Sequence, residues 1–312
     1  MDTSRMDIKE KQSAYHDWEA TNYDAKFSIS YDERCIEYAR ERFLKALPKG
    51  GSFDHVLEVG AGTGFFVVNL FLAGHVSGED VHATDISEGM LQVCKRNAAE
   101  HGLEIEVAQG DAESLAFPDD RFDLVIGHAF LHHLPDPQKA ISEMHRVLAP
   151  GGILVVAGEP SRWGDAILRR IKRATYLGWR AATAPPPLRS WRRTGREGEE
   201  HGEVHGDEGA VAALEHEVDL HTFDPRDVER MALEAGFHDV IVRTEDLTAS
   251  WLGWAVRTIE GSTAPGKLGA RWAFWAYRNY LRLQRLDEAV MKRFVPDGLF
   301  YNVLLTARKS TG

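Results

Sequence analysis

A glycine-rich turn between a buried strand and a helix restricts the fold of this chain more than any other feature. Residues 55–60 (HVLEVG) form a short apolar run typical of a buried strand, and Gly60, Gly62 and Gly64 lie at its end. Glycine allows positive φ and lets a ligand approach the main chain closely. Because parallel sheets bind ligands at the carboxyl ends of their strands, the turn predicts a ligand site there.

Candidate strands and helices alternate along the rest of the chain. Strands are predicted at 55–60, 81–86, 104–110, 122–129, 152–158, 238–246 and 299–309, and helices at 33–47, 64–73, 88–101, 136–148 and 222–237. Alternation of this kind requires crossover connections, which place helices on both faces of a parallel sheet. We therefore expect an α/β fold.

Composition and charge exclude several classes of protein. The chain has 37 Lys and Arg residues against 48 Asp and Glu residues, and its net charge of −11 does not favour binding to a nucleic-acid backbone. Cys35 and Cys94 are too few for a disulfide framework or a thiolate metal site, and free thiols suit a reducing compartment. The polar N-terminus and the lack of a long apolar run predict a cytoplasmic protein without a signal peptide or a membrane span.

Two acidic residues follow the next two strands, at positions where they could hold a nucleoside. Asp85 ends the second strand, where a carboxylate can accept hydrogen bonds from both ribose hydroxyls, and the alternative role of a helix cap fits Ser87 better. Asp111 follows the third strand beside Ala112, which suits a flat purine and its amine, although Asp111 could also cap the loop. The spacing GxGxG departs from the dinucleotide fingerprint GxGxxG and counts against NAD.

Four blocks of sequence together resemble the class I S-adenosylmethionine-dependent methyltransferases. The blocks are EVGAGTG (58–64), TDIS (84–87), GDAESLAFPDDRFDLVIGHAFLHHLPD (110–136) and RVLAPGGILVV (146–156). The likeness is greatest to the small-molecule group that includes the ubiquinone and menaquinone biosynthesis methyltransferases, and it covers about residues 55–160, with weaker agreement at 222–246 and 299–309. It implies a Rossmann-like seven-stranded sheet that is mostly parallel, with an antiparallel last strand, and S-adenosylmethionine as the cofactor.

The resemblance also implies roles for individual residues. The implied cofactor site consists of Tyr23, Glu58, Gly60, Gly62, Asp85, Ile86, Met90, Asp111, Ala112 and His128. In this family the acid of the first strand orders the turn, the glycines face the amino-acid end of the cofactor, and the next two acids hold the ribose and the adenine. Ile86 and Met90 would flank the adenine, and the backbone at His128 would face the methionine part. Tyr15 and Tyr23 would close over the cofactor, or else pack aromatic surface.

The resemblance and the composition divide the chain into six segments. They are an N-terminal helical segment that closes over the cofactor (1–54), the S-adenosylmethionine-binding core (55–160), an insertion (161–221), a continuation of the core (222–246), an aromatic-rich insertion (247–298) and a final core strand (299–312). We expect the two insertions to form a lid at one end of the sheet.

Methyl transfer requires mainly that the acceptor is aligned behind the methyl carbon, on the carbon–sulfur axis. A general base contributes where the acceptor is a hydroxyl or an acidic carbon. His132 and His133, in the loop after the fourth strand, are candidates because histidine titrates near neutrality, and Glu159 after the fifth strand is another. Either histidine could instead cap or pack. No metal site is expected, since the glycines around His201 and His205 disfavour a helix that would pair them.

The two insertions differ in chemistry. Over 163–179, apolar residues share one helical face and basic residues lie away from it, which suits either an anionic membrane surface or a lid packed on the core. An acidic loop follows at 195–209. The run WAFWAY (272–277) is apolar all round and predicts a helix covered on more than one side, as part of an apolar acceptor pocket or of the core.

The leading hypothesis is a methyltransferase that acts by in-line displacement on a small, apolar acceptor such as a lipid, a quinone or a polyketide. A hydride-transferring enzyme that uses NAD and a non-catalytic protein that keeps the cofactor fold are the alternatives. A nucleic-acid methyltransferase is disfavoured because residues 128–131 read HAFL, where amino-directed enzymes of that kind have NPPY or DPPY. The oligomeric state and the acceptor atom stay open.

Overall fold

The computed structural model describes residues 6–193, 214 and 217–311. The acidic loop expected at 195–209, with His201 and His205, lies outside the described residues. The chain divides into two compact units. The first unit contains residues 1–159, 210–243 and 304–312, and the second contains residues 160–209 and 244–303.

The strands and helices follow the expected alternation. The strands are β1 (Phe53–Val59), β2 (Val76–Asp85), β3 (Glu106–Gln109), β4 (Phe122–His128), β5 (Leu148–Pro160), β6 (His238–Glu245) and β7 (Asn302–Arg308). Within the described residues the helices are α1 (Ile8–Phe27), α2 (Glu33–Ala46), α3 (Phe65–Leu72), α4 (Glu88–Glu100), α5 (Pro137–Val147), α6 (Arg162–Ala182), α7 (Pro225–Glu234), α8 (Thr248–Gly261) and α9 (Ala270–Ala289).

The seven strands form one sheet in the order β3-β2-β1-β4-β5-β7-β6. β1 pairs in parallel with β2 and β4, and the pairs β2–β3 and β4–β5 are also parallel. The start of β5 bonds to the residue after β7, because the Gly151 N–H donates to the Lys309 carbonyl and the Lys309 N–H donates to that of Gly152. β7 is therefore antiparallel, and the expected Rossmann-like sheet is confirmed. The strand order reverses between β1 and β4, so the carboxyl end of β1 faces the switch point where such sheets bind ligands.

Buried apolar residues explain why these segments form a core. Val56, Leu57 and Val59 of β1 are fully buried, which is typical of a strand covered by helices on both faces. The predicted strand 152–158 extends back to Leu148, because Gly151 and Gly152 take part in the sheet through their bonds to residue 309. The helix predicted at 222–237 is present as α7, and the Asp224 carboxylate caps its start by accepting from the Arg226 N–H at 3.0 Å.

The second unit is mostly helical, and one buried acid connects α9 with the start of α8. α8 packs against both α6 and α9. α8 begins without a side-chain cap of its own, and Asp287 of α9, which is 1% exposed, takes that place. Its carboxylate accepts from the backbone N–H groups of Leu247, Thr248 and Ala249 at 2.9–3.1 Å and from the Thr248 hydroxyl at 2.6 Å. A negative charge at this helix terminus also complements the helix dipole.

The two segments expected as insertions form most of this second unit, but their limits differ. Residues 217–221 belong to the first unit instead, where the N–H groups of Leu220 and His221 both donate to the His132 carbonyl. Among the described residues, no helix has the length and apolar character needed to cross a bilayer. The expected lid role of the insertions stays a prediction.

The expectation for the run 272–277 is wrong. Of its six residues only Ala276 is buried, whereas Phe274 is 62% and Trp275 is 49% exposed. The reason is the spacing of the residues that α9 does bury, Ala276, Gln284 and Asp287, which lie on one side of the helix. On the apolar face of the basic helix, Trp163 is exposed and Leu168 is buried.

Replacing Asp287→Ala removes the cap from α8 and leaves three backbone N–H groups without their carboxylate. We expect the free energy of unfolding of the second unit to fall by about 2 kcal/mol, as for a lost helix cap with charged hydrogen bonds. Urea unfolding followed by circular dichroism measures this change. Asp297→Ala, which removes an exposed acid of the same unit, is the control and should leave the midpoint unchanged. Equal midpoints for the two variants would contradict the capping role.

Candidate active site

The glycine turn after β1 combines one tightly packed and one open position. Gly60 and Gly62 both have positive φ, 63° and 52°. A Cβ at Gly60 would lie 2.5 Å from Phe130, so a side chain is excluded there. A Cβ at Gly62 would meet no atom of the described residues within 4 Å. The main chain at Gly62 is therefore the part of the turn that a ligand can approach.

Asp85, at the end of β2, connects the turn to the next helix. Its carboxylate accepts from the Gly62 N–H at 2.8 Å and from the Ser87 N–H at 2.9 Å. Burial raises the pKa of Asp85, and these two hydrogen bonds oppose that effect. Ser87 caps α4 by accepting from the Met90 N–H, as predicted. Each oxygen of Asp85 has a further lone pair and can accept from a ligand hydroxyl.

Glu58, in β1, lies beneath the turn and is 1% exposed. It accepts a hydrogen bond from the Val67 N–H at 3.1 Å and so holds the first turn of α3. Burial raises the pKa of Glu58 to about 8. The observed contact is to α3, and the role of ordering the turn that the resemblance assigns to this acid stays a prediction.

The residues expected around an adenine lie along α1 and α4. Tyr23 packs against Met90 in a small apolar cluster with Ala20 and Val93, and burial raises the pKa of its hydroxyl. Ile86 precedes Met90 by four residues, and its carbonyl accepts a hydrogen bond from the Gln109 side chain. The arrangement offers an apolar surface next to the turn.

Asp111 has two partners, and one of them was not predicted from the sequence. It accepts from the Glu113 N–H at 2.9 Å, which is the loop-capping role considered above, and from Lys9 Nζ of α1 at 2.7 Å. Burial alone would raise the pKa of Asp111, but the hydrogen bonds from Lys9 and from the Glu113 N–H, together with the charge of Lys9, lower it. Ala112, between the two acids, is buried.

Helix α1 also contacts the other parts of the site through residues that the sequence analysis missed. Asp17 accepts from the Ser87 hydroxyl at 2.6 Å and from the Gly89 N–H at 2.8 Å. Asp24 accepts from the Thr63 hydroxyl of the glycine turn at 2.6 Å. These acids lie in a polar helix without a motif, so only the partners that surround them in the fold show their role.

His132 and Glu159 form a hydrogen-bonded pair. Glu159 is 1% exposed, and its carboxylate accepts from the N–H groups of Phe130 and Leu131, both at 2.9 Å, and of His132 at 3.1 Å. It also bonds to His132 Nδ1 at 2.8 Å. Burial would raise the pKa of Glu159, but these partners, above all His132, lower it. An ionised carboxylate on Nδ1 fixes the orientation of the ring, and Nε2 lies 3.9 Å from Asp219 Oδ1.

The second histidine of the pair has a different environment. Burial, followed by the charge of His132, lowers the pKa of His133, and its Nδ1 lies 3.1 Å from the Val218 carbonyl. Burial also lowers the pKa of the neighbouring His16, on α1, and the two rings meet edge to face. One atom each of His132, His133 and Asp219 lies within 4.8 Å of the others, a spacing that a cation could bridge. The expectation of no metal stays a prediction.

His128 lies at the end of β4, as expected, but its side chain is surrounded by aromatic rings. Its Nε2 is 3.2 Å from the Tyr38 hydroxyl, and the rings of Tyr38, Phe65 and Phe66 lie within 6 Å, between 5.1 and 5.8 Å centroid to centroid. The side chain therefore packs between α2 and α3. The role that the resemblance assigns to the backbone at His128 stays a prediction.

Comparison with known proteins shows what residues 57–156 are similar to. Residues 57–156 match the family profile described as a methyltransferase domain. The 2-methyl-6-phytyl-1,4-hydroquinone methyltransferase 1, chloroplastic, of Oryza sativa subsp. japonica is 34% identical over 131 residues, 40% of this chain and 38% of that protein. The demethylmenaquinone methyltransferase of Thermus thermophilus is 35% identical over 133 residues, 43% of this chain and 57% of that protein. The chain thus spans less than two thirds of either relative.

A solved structure extends the likeness to nearly the whole chain. Phosphoethanolamine N-methyltransferase 2 of Haemonchus contortus, in complex with phosphomonomethylethanolamine and S-adenosylhomocysteine, superposes with a TM-score of 0.57. The match covers 98% of this chain and 61% of that chain at 14% identity. At that identity the likeness shows the fold alone.

The raised pKa of Glu58 predicts a pH dependence of stability. A glutamate has an ordinary pKa near 4.5, and the folded chain raises that of Glu58 to about 8, so folding favours the protonated form. The free energy of unfolding should therefore fall as the pH rises between these two values. Glu58→Gln keeps an acceptor for the Val67 N–H and cannot ionise, so its stability should fall less over the same range.

Urea unfolding at a series of pH values between 5 and 8, the interval set by the two pKa values, measures this difference. Glu88→Gln, at an exposed position in the first turn of α4, is the matched control and should follow the parent curve. Parallel curves for the parent and the Glu58→Gln variant would show that Glu58 does not titrate in this range.

Proposed function

Because the core of this chain is a class I S-adenosylmethionine-dependent methyltransferase domain, we propose that the whole protein transfers a methyl group to a small, apolar acceptor of the quinone or lipid class. One observation carries the proposal: Asp85 bonds to the glycine turn while the main chain of Gly62 stays open to a ligand. The rice and Thermus relatives, named for hydroquinone and menaquinone substrates, support the acceptor class.

The residues present fit S-adenosylmethionine. We propose that Gly60 and Gly62 face its amino-acid end, that Asp85 accepts from the ribose hydroxyls, and that Ile86 and Met90 flank the adenine. Asp111 and Ala112 would hold the adenine amine, with Lys9 beside them. Glu58 orders the turn through α3, and Tyr23 covers the site from α1. When bound, the cofactor supplies a methyl group that its sulfonium has already activated.

We propose His132 as the general base. Glu159 is a positioning residue, because its oxygens already accept from three backbone N–H groups and from His132. With Nδ1 held by this carboxylate, Nε2 can remove the proton of a hydroxyl or acidic carbon acceptor. His133 supports the loop through Val218 and, with its lowered pKa, stays neutral near pH 7.

The alternatives predict different ligands. An oxidoreductase would bind NAD, and a non-catalytic protein would bind S-adenosylmethionine without consuming it. The GxGxG spacing counts against an oxidoreductase that uses NAD. The intact glycine turn, Asp85 and Asp111 count against a non-catalytic protein with a degenerate site. Calorimetry with NAD and with S-adenosylmethionine separates the first alternative from the proposal.

We further propose a cytoplasmic protein that makes a peripheral membrane contact through residues 163–179. In α6 the exposed residues include Trp163, Tyr176 and Leu177 together with the basic residues Arg169 and Arg170. Exposed aromatic and basic side chains on one helix suit an anionic lipid surface.

Asp85→Asn should weaken cofactor binding. The neutral amide keeps the shape of the side chain but offers weaker acceptors, and the loss of charged hydrogen bonds to two hydroxyls corresponds to an increase in Kd of roughly 10- to 100-fold. Calorimetry with S-adenosylhomocysteine measures the Kd, and Glu104→Gln, an exposed acid before β3, is the control. An unchanged Kd for Asp85→Asn would remove the main support for the proposed cofactor site.

Labelled S-adenosylmethionine, incubated with the protein and with lipid-phase or water-phase cell extracts, tests the reaction itself. We expect label in a lipid-phase product that mass spectrometry identifies. His132→Asn should lower kcat by about 10²–10⁴-fold with a hydroxyl or carbon acceptor, and His133→Asn by much less. Label confined to water-soluble products would contradict the apolar acceptor. Equal losses in the two variants would contradict the assignment of the base.

A further inference from the structure

One face of helix α9 carries only aromatic and basic large side chains and is exposed to solvent. We call it the α9 outer face; it comprises Arg271, Phe274, Trp275, Arg278, Arg282 and Arg285. These residues recur every three or four positions, so they lie on the same side of the helix, away from the side that carries Ala276, Gln284 and Asp287. We propose that the α9 outer face docks on anionic phospholipid membranes.

Most basic residues of this face lack the acidic neighbours on the same helix that often pair with them. No Asp or Glu occurs between residues 261 and 286, so neither Arg278 nor Arg282 has an acidic neighbour three or four positions away. The Arg278 guanidinium lies over the ring of Phe274, 5.4 Å from its centroid. These arginines are therefore available to phosphate groups, which guanidinium binds with two parallel hydrogen bonds.

A shallow groove on the same face could bind such a phosphate group. It has a volume of about 330 Å³ and is lined by Phe274, Trp275, Arg278, Asn279 and Arg282. Two arginines and an amide supply donors, and two aromatic rings supply an apolar wall. This combination matches a lipid headgroup whose acyl chains continue beside the rings, because aromatic side chains prefer the boundary between headgroups and hydrocarbon.

The whole second unit has the charge expected for such a surface. Its described residues, 160–193 and 244–303, contain 17 Lys and Arg residues against seven Asp and Glu residues. With residues 194–209, which add one Arg and six acids, the unit has 18 basic against 13 acidic residues, whereas the chain as a whole has a net charge of −11. Three of these seven acids, Glu245, Asp246 and Asp287, are buried. Basic charge is thus concentrated on the unit that bears the α9 outer face, and it is attracted to the negative surface of an anionic bilayer.

Exposed aliphatic side chains distinguish a membrane from a nucleic acid as the partner. Leu286 and Val290 are each 41% exposed at the end of α9 and just after it, and Phe294 is 81% exposed. Aromatic rings and arginines can bind single-stranded nucleic acid by stacking and charge. Leucine and valine gain nothing from a phosphate backbone, but they gain free energy in the acyl region of a bilayer.

The inference gives the proposed function a route to its acceptor, and in that sense rests on it, since apolar quinones and lipids reside in membranes. The physical argument for docking uses only the second unit. Membrane binding and methyl transfer can therefore be tested separately.

Sedimentation of the full chain with vesicles tests the docking. We expect binding to vesicles of phosphatidylcholine mixed with phosphatidylglycerol, little binding to phosphatidylcholine alone, and release by salt. The double variant Arg278→Gln, Arg282→Gln should lower the partition coefficient about tenfold to thirtyfold, as expected for two basic residues at an anionic surface. The double variant Arg226→Gln, Arg230→Gln removes two charges at the same spacing from α7 of the first unit and should change it little.

Phe274→Ser provides a second measurement, because it should weaken binding to the mixed vesicles without changing the salt dependence. Circular dichroism verifies that each variant is folded. Equal binding to both kinds of vesicle, equal losses in the two double variants, or displacement of the protein from mixed vesicles by a single-stranded oligonucleotide would each overturn the proposal. Calorimetry with S-adenosylhomocysteine on the same variants should give an unchanged Kd, so failure of docking is distinguishable from failure of the proposed function.

Discussion

The contact between Asp85 and the glycine turn is the interaction on which the site depends. The carboxylate at the end of β2 accepts from the Gly62 N–H and from the Ser87 N–H, and so it fixes the loops after two neighbouring strands relative to each other. A carboxylate that has given up part of its hydration needs such donors, because an unpaired charge in this position would be costly. The glycine turn also packs closely against Phe130, where a side chain at position 60 would not fit.

The sheet and most of the proposed cofactor site could be predicted from the sequence because both depend on local signals. Buried parallel strands are continuous apolar runs, and acids at strand ends, such as Asp85 and Asp111, follow them directly. The pairing of His132 with Glu159 had no such signal, since the two residues come from different loops and meet only in the folded chain. The same holds for Lys9, whose ammonium reaches Asp111 across about a third of the sequence.

The error at residues 272–277 has a related cause. An apolar run on a helix implies burial only if enough partners surround the helix, and a single sequence does not state how many there are. In this unit α9 packs through Ala276, Gln284 and Asp287, and Phe274 and Trp275 remain outside. A run that resembles core is then part of the surface, and Arg271 and Arg278, which flank the run, were the available signal.

The second unit is assembled from two stretches of chain, 160–209 and 244–303, with a helix and most of a strand of the first unit between them. On the ribosome, α6 therefore emerges well before α8, the helix against which it packs. Until α8 has been made, the apolar side chains of α6, such as Leu168, lack the helix against which α6 packs in the folded protein. During synthesis, the apolar face of α6 is therefore exposed to solvent until α8 has been made.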